Sequence, residues 1–577
     1  MPSARSSSPP PRAVAITVCA VVAAILAAIV IVLLSTGGGG HGTPTNVDPA
    51  KVVPASAALY VGADVRPKAA KQAAALAAGR SLTHQADPYT RLVSILQTPG
   101  SPTPDFARDV DPWLGARAGV FLSSLSSSGP VLSLIQQGLL GQSSAGGAFP
   151  FGAKGAQGAI VLDTTDLAKA RAFLQSAAAR AGAQATTYRG TSYQLSAGGV
   201  AFGTVRRLAV IGSDSGMHAV IDTAIGGGSL AGAPPYAALV AAAPPGAIAH
   251  LYSSAGGSGA AAPGLAGLLQ LFSGSRQMNV SFVPTASSVA LDIDTLGLAS
   301  QAGQAGLPSF SSESAHALAE LPGESWFAVG LTEVGRMLPA DVQGLSSILS
   351  LAGPGASGAG SATGLGVGTL LTGLTLPLRA LGASDPEARR SFQSWMTSGG
   401  LFATGTSLLE LKAAVVINSK EPALSRAAVP KLAARLRAMG AAVAPASVAG
   451  ADVAIDARLK GLPVPLVIAE GRGAGGQSKF VIGVGEASVP AALNPPSTLA
   501  GAQSTSAAAA ALGEGAQPSV ILDVPTLLSL LEGIGLTEDP TISPFVPYLR
   551  SITTIAGGPH RIDPTVERFK IVAALRP

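Results

Sequence analysis

The longest unbroken run of apolar positions lies early, from Ala13 to Leu34 (AVAITVCAVVAAILAAIVIVLL), with no charge, Pro or Gly over 22 residues. As a helix at ~1.5 Å per residue it spans ~33 Å, enough to cross a hydrocarbon core of ~30 Å. Arg5 and Arg12 precede it, whereas Ser35–Gly42 (STGGGGHG) carries no charge. That bias predicts a cytoplasmic tail over 1–12, a transmembrane anchor over 13–34 and a body outside the membrane. The run is longer than the ~7–15 apolar residues of a cleavable signal, and its only weak cleavage candidate is around Ser35–Gly37, so an uncleaved anchor is expected. Residues 35–51, with the Gly-rich Gly37–Asn46 (GGGGHGTPTN) inside them, read as a flexible linker.

Beyond the linker, short apolar runs and helical stripes recur in the same order twice. Val52–Val65 (VVPASAALYVGADV) and Leu321–Val334 (LPGESWFAVGLTEV) each place a proline turn before a β-rich run. A helical region follows in each half, ending near Trp113 and Trp395, and after each Trp comes a Gly-containing turn and a strand. Gly158–Asp163 (GAIVLD) and Lys412–Asn418 (KAAVVIN) are apolar strands that run into helices. In the first helix Leu167, Ala170, Leu174, Ala177 and Ala181 share a face, with Thr165 as N-cap and Gly182 as the stop. In the second, Val429, Leu432, Leu436 and Met439 form the stripe and Gly440 the stop, while Pro430 kinks the helix or restarts it. Strand pairs, a short helix, a proline-led strand and a closing hairpin complete both halves, the hairpins being 278–295 and 551–575.

The architecture predicted is α+β: an N-terminal transmembrane helix followed by two related modules, 52–300 and 315–577, each an antiparallel sheet with helices over one face. Leu365–Leu381 is apolar enough to suggest a second span, but its glycines, Pro377 and Arg379 favour a helix packed on the sheet.

Composition narrows the function classes. Aromatics make up 4% and charged residues 12% of the chain, and the net charge of +5 is spread thinly, with no Lys/Arg cluster interleaved with aromatics. Nucleic acid is therefore not an expected partner. Cys19, inside the apolar run, is the single cysteine, so no intrachain disulfide forms and core burial must hold the body together.

No motif fixes a reaction. Gly471–Gly476 (GRGAGG) fits G-x-G-x-x-G but is followed by the strand QSKFVIGVG, so a hairpin loop is expected instead of a dinucleotide site. The histidines at 41, 84, 218, 250, 316 and 560 show no helical metal-pair spacing. Gly212–Gly216 (GSDSG) has Asp214 where a nucleophile elbow needs serine, and reads as a helix start capped by Asp214 or Ser215. Asp292-Ile293-Asp294 lacks the oxygen ladder of a calcium loop and reads as strand-edge polarity. The most distinctive string is Asp109-Val110-Asp111-Pro112-Trp113-Leu114-Gly115. Asp109, Asp111 and Trp113 would make a ligand or sugar platform. The packing alternative has Asp111-Pro112 opening a turn, Trp113 anchoring a helix end and Gly115 taking positive φ. Because Trp395 recurs without the acidic pair, packing is favoured. No catalytic, cofactor or metal residues are assigned.

With Pro54, Tyr60-Val61, Asp64 and the Asp111-Pro112-Trp113-Leu114-Gly115 string behind an N-terminal anchor, the chain resembles an actinobacterial and cyanobacterial family of envelope proteins catalogued as a domain of unknown function. The resemblance covers most of the ectodomain and implies envelope localisation with no established activity. The second half departs from it, with Ser394-Trp395-Met396 where Pro-Trp-Leu would stand. The expected function is that of a non-catalytic binding or scaffold protein of the envelope, contacting the bilayer through 13–34 and another envelope protein beyond it. The alternatives are a carrier of lipid or another apolar ligand and an enzyme with dispersed site residues.

Overall fold

The computed structural model describes residues 47–83, 106–124, 151, 156–254, 277–296, 311–337, 393–407, 409–459, 462, 464–533, 535–538, 542–562 and 565–576. The expected anchor over 13–34 and the apolar stretch 365–381 lie outside these residues. Among the described residues no helix is long and apolar enough to cross a membrane.

The first ten strands are β1 (Leu59–Asp64), β2 (Leu114–Leu122), β3 (Gly158–Thr164), β4 (Gln184–Tyr188), β5 (Thr191–Leu195), β6 (Val200–Val205), β7 (Leu208–Ser213), β8 (Ala249–Ser253), β9 (Met278–Pro284) and β10 (Ser288–Leu296). Their pairings give the order 4-5-6-7-3-2-1-8-9-10, every pair antiparallel. The next ten are β11 (Phe327–Leu331), β12 (Met396–Thr404), β13 (Lys412–Ser419), β14 (Ala442–Ala446), β15 (Ala451–Arg458), β16 (Leu466–Arg472), β17 (Ser478–Val484), β18 (Val520–Asp523), β19 (Ile552–Arg561) and β20 (Val566–Leu575). Their order, 14-15-16-17-13-12-11-18-19-20, is the first order with ten added to each number. β10 pairs antiparallel with β20, so the two sets meet last strand to last strand in one continuous sheet.

Small details recur with the strand order. Pro54 bridges Ser229 and Pro322 bridges Thr498. Leu230 N–H donates to Val53 O and Leu499 N–H to Leu321 O, both at 2.8 Å. Thr165 N–H donates to Trp113 O and Lys420 N–H to Trp395 O, so both tryptophans sit at the same corner of their sheets.

Helices cover both faces of the sheet, where one face was expected. The α-helices of five residues or more are α1 (Ala69–Thr83), α2 (Leu167–Arg180), α3 (Asp214–Ala224), α4 (Pro234–Ala242), α5 (Ser312–Ala319), α6 (Pro422–Ala438), α7 (Ser488–Leu493), α8 (Gln503–Leu512), α9 (Val524–Gly533) and α10 (Val546–Arg550). On β7, Leu208 and Val210 pack with Met217 and Val220 of α3, while Ala209 and Ile211 pack with Leu174 of α2 on the other side. On β17, Phe480 and Ile482 pack with Leu432 of α6, and Val481 faces Val489 of α7. A strand sandwiched in this way has no polar face, which is why LAVIGS and SKFVIGV are buried at every position. The outer strand β4, by contrast, has no buried position.

Several local expectations shift by a residue or two. Asp166, not Thr165, caps α2, its carboxylate accepting from the N–H groups of Ala168 and Lys169. Ser213, not Asp214 or Ser215, caps α3 by accepting from Gly216 N–H at 3.0 Å. α6 runs through Pro430, and Met439 is an exposed C-cap instead of a stripe member. Gly182 and Gly440 end their helices at φ +62° and +89°, and Gly471–Gly476 spans the β16–β17 hairpin as expected.

Candidate functional site

The Asp109–Gly115 string lies where the short π-helical turn Phe106–Val110 meets β2. Its two carboxylates do not converge. Asp109 pairs with Arg108 at 2.8 and 3.0 Å. Asp111 takes Arg66 at 3.1 Å, and the same guanidinium donates to Asp111 O at 2.8 Å. Trp113 is 1% exposed, packs at a tilt against Phe173 of α2 with ring centroids 5.4 Å apart, and donates its Nε1–H to Asp109 O at 2.7 Å. Gly115 does not take positive φ, contrary to expectation. It is glycine because a Cβ there would lie 2.3 Å from the Oδ2 of Asp163, the buried carboxylate oxygen that accepts from Ala116 N–H at 3.0 Å. Over the tryptophan runs an open groove of about 330 Å³ bordered by Arg108, Asp109, Lys169, Phe173 and Arg180. The string is thus mostly spent on packing, and the surface it leaves is polar.

Sequence reasoning missed a second group, beneath α4. Tyr60 on β1, His250 on β8 and Tyr236 on α4 line or adjoin a hollow of about 70 Å³ closed by Asp48 and Arg117, which pair at 3.3 Å. Tyr236 Oη and His250 Nε2 share a hydrogen bond at 3.0 Å. Desolvation pulls the imidazole down to about 4, and burial raises Tyr60 and Tyr236 above the usual phenol range. His250 stands directly across from Gly62, where a Cβ would lie 2.6 Å from its Cε1. A glycine inside a strand was the available signal, because it marks where another group approaches the backbone.

This hollow is one end of a polar row that crosses the sheet. Register partners place His250 beside Ser281, Ser281 beside Asp292, and Asp292 beside Lys570. One step along, Tyr252, Asn279, Asp294, Arg568 and His560 line up in the same way. Asp292 and Asp294 were expected at a strand edge. β10 has neighbours on both sides, and Asp294 is fully buried, held by Arg568 at 2.7 and 2.9 Å. Arg568 also donates to Ala242 O at the end of α4, and Lys570 to Leu512 O at the end of α8, both at 2.7 Å. Cations at helix C-termini are favoured by the aligned peptide dipoles. The row therefore ties the two sets of strands together at their seam.

A third cluster joins the β4–β5 hairpin to α3. Tyr193 Oη donates to Asp214 Oδ1 at 2.5 Å and lies 2.8 Å from His218 Nε2. Tyr188 stacks on the imidazole with ring centroids 3.7 Å apart. Among the described residues no three His, Cys, Asp or Glu side chains gather in a metal-holding group.

What fold and site define is a helix-sheathed antiparallel α+β protein whose most distinctive motif is built into its core. A profile of the family described as "Protein of unknown function (DUF3352)" matches residues 15–356, more than half of the chain, and the chain belongs to that family. Comparisons with curated proteins and with solved structures give no match.

Proposed function

We propose that this is a membrane-tethered envelope protein whose body stands outside the cytoplasmic membrane and works by contact, without turnover. The tether rests on the 22 uncharged residues 13–34 and on the charge bias around them, and the family match begins at residue 15, inside that run. The body would be two diverged copies of one module, 52–300 and 315–577, a reading supported by the recurring strand order.

The observation that carries contact over turnover is the fate of the Asp109–Gly115 string. Each carboxylate is neutralised by its own arginine, the indole is buried, and the glycine serves a close approach. An acid/base pair needs groups facing a shared open space within hydrogen-bond reach. Carriage of an apolar ligand draws less support, since one hollow is about 70 Å³ and the larger groove is bordered by cations. Ligand pockets usually enclose ~300–1,000 Å³ with mostly apolar walls.

The test uses the full chain. Cell fractionation should place it with membranes, and protease added outside spheroplasts should digest it. Deleting 13–34 should leave it protected in the cytosol. Detergent-purified chain should turn over no substrate in a broad hydrolase panel; turnover, or a protected body in the intact chain, would refute the proposal.

A further inference from the structure

We propose that Tyr193, Asp214 and His218 form a binding site for a first-row transition-metal cation on the first half of the molecule. The three side chains come from two elements, Tyr193 from β5 and the others from successive turns of α3. Asp214 Oδ1, Tyr193 Oη and His218 Nε2 form a triangle with edges of 2.5, 2.8 and 3.5 Å. Adjacent donors around a six-coordinate ion with bonds of ~2.0–2.1 Å stand ~3 Å apart, and these edges bracket that separation. The circle through the three atoms is small enough for one ion to reach all of them at such a bond length.

The donor set is one imidazole nitrogen, one carboxylate oxygen and one phenol oxygen that becomes phenolate on binding. Imidazole with carboxylate suits zinc, copper and iron better than magnesium or calcium. Binding displaces the phenol proton, which passes to solvent. The His218 and Asp214 side chains are 31% and 41% exposed, leaving room for water on the outer side of the ion. Tyr188 holds the imidazole plane from behind by stacking. α7, which follows β17 as α3 follows β7, is SVPAAL and carries no titratable side chain, so the site belongs to the first half alone.

Titration of chelator-treated full-length chain with Cu²⁺ tests this. One equivalent should bind with a phenolate-to-copper charge-transfer band. Tyr193→Phe, which keeps the ring, should abolish the band and weaken binding at least tenfold. His218→Gln should weaken it similarly, and circular dichroism should match the parent for both. If no copper binds, or if binding proceeds without the band and is unchanged in both variants, the three groups are a hydrogen-bonded cluster and the proposal fails.

Discussion

Asp294 and Arg568, 274 residues apart in the chain, stand directly opposite each other on β10 and β20 and close a two-pronged ion pair at 2.7 and 2.9 Å. The side chains are 0% and 11% exposed, so neither charge can turn to bulk water if its partner is lost. Removing one member of a buried pair costs ~3–5 kcal/mol, mainly through the charge left behind, whereas replacing both by apolar residues can be near neutral. Asp294→Ala should therefore lower stability by ~3 kcal/mol or more. Asp294→Leu combined with Arg568→Met should recover much of that loss in urea unfolding. Equal losses in the single and double variants would show that the pair is not coupled.

The same carboxylate sets a pH dependence with a definite sign. Burial raises Asp294 to about 6, against the hydrogen bond and charge of Arg568, which lower it. A raised carboxylate adds stability that is present in full below its unfolded value of ~3.9 and is lost as pH rises through 6. His250 works the other way. Desolvation lowers it to about 4, so its contribution is present above ~6.5 and is lost as pH falls toward 4. The two oppose each other between pH 4 and 6. Asp294→Asn should make the melting temperature fall more steeply with acid, and His250→Gln should make it fall less. Profiles parallel to the parent in both variants would contradict the assignment.

Trp113 and Trp395 occupy matching corners but differ in one bond. Trp113 donates to Asp109 O, whereas Trp395 Nε1 is buried with no hydrogen-bond partner among the described residues. Trp→Phe should therefore cost ~1 kcal/mol more at 113 than at 395, because only there is a hydrogen bond broken. Trp→Ala should cost ~3–5 kcal/mol at either site through the cavity left. Thermal unfolding of the four variants checks both statements, and a larger Phe penalty at 395 would reverse the account.

Gly115 and Gly182 are required for different reasons. At 115 the added Cβ would meet Asp163, whereas at 182 it would meet nothing within 4 Å but the backbone is at φ +62°. Gly182→Ala should cost ~1 kcal/mol of conformational strain. Gly115→Ala should cost ~1–3 kcal/mol of overpacking and weaken the Asp163 hydrogen bond to Ala116 N–H. Denaturant midpoints separate the two; a neutral Gly115→Ala would mean that β2 and β3 yield at that point.

Local periodicity made much of the chain legible. The stripe from Leu167 to Ala181 places α2 almost to the residue, and the apolar run at 412–418 places β13. The hairpin loop at 471–476 was readable because the apolar run QSKFVIGVG follows it where a dinucleotide site would need a helix. Facing was not readable, because Ala-rich helices leave alternate strand positions equally apolar on both sides. LAVIGS looks the same whether one face or two are covered. Nor could the sequence pair Asp294 with Arg568, or His250 with Gly62, since cross-sheet neighbours are fixed by register between distant strands. Two acids in an alternating strand therefore read as an edge, when they lie at the seam.

The sheet is continuous only if β10 and β20 are neighbours, and cysteine cross-linking measures that directly. Ala290 and Val572 are register partners, and partners in an antiparallel pair lie ~4.5–5.5 Å apart at Cα, within disulfide reach. With Cys19→Ser as background, Ala290→Cys plus Val572→Cys should oxidise to an internal disulfide in the folded chain, and Ala290→Cys plus Ala574→Cys, two residues out of register, should not. Cross-linking of neither pair, or of the second in preference to the first, would contradict the continuous sheet.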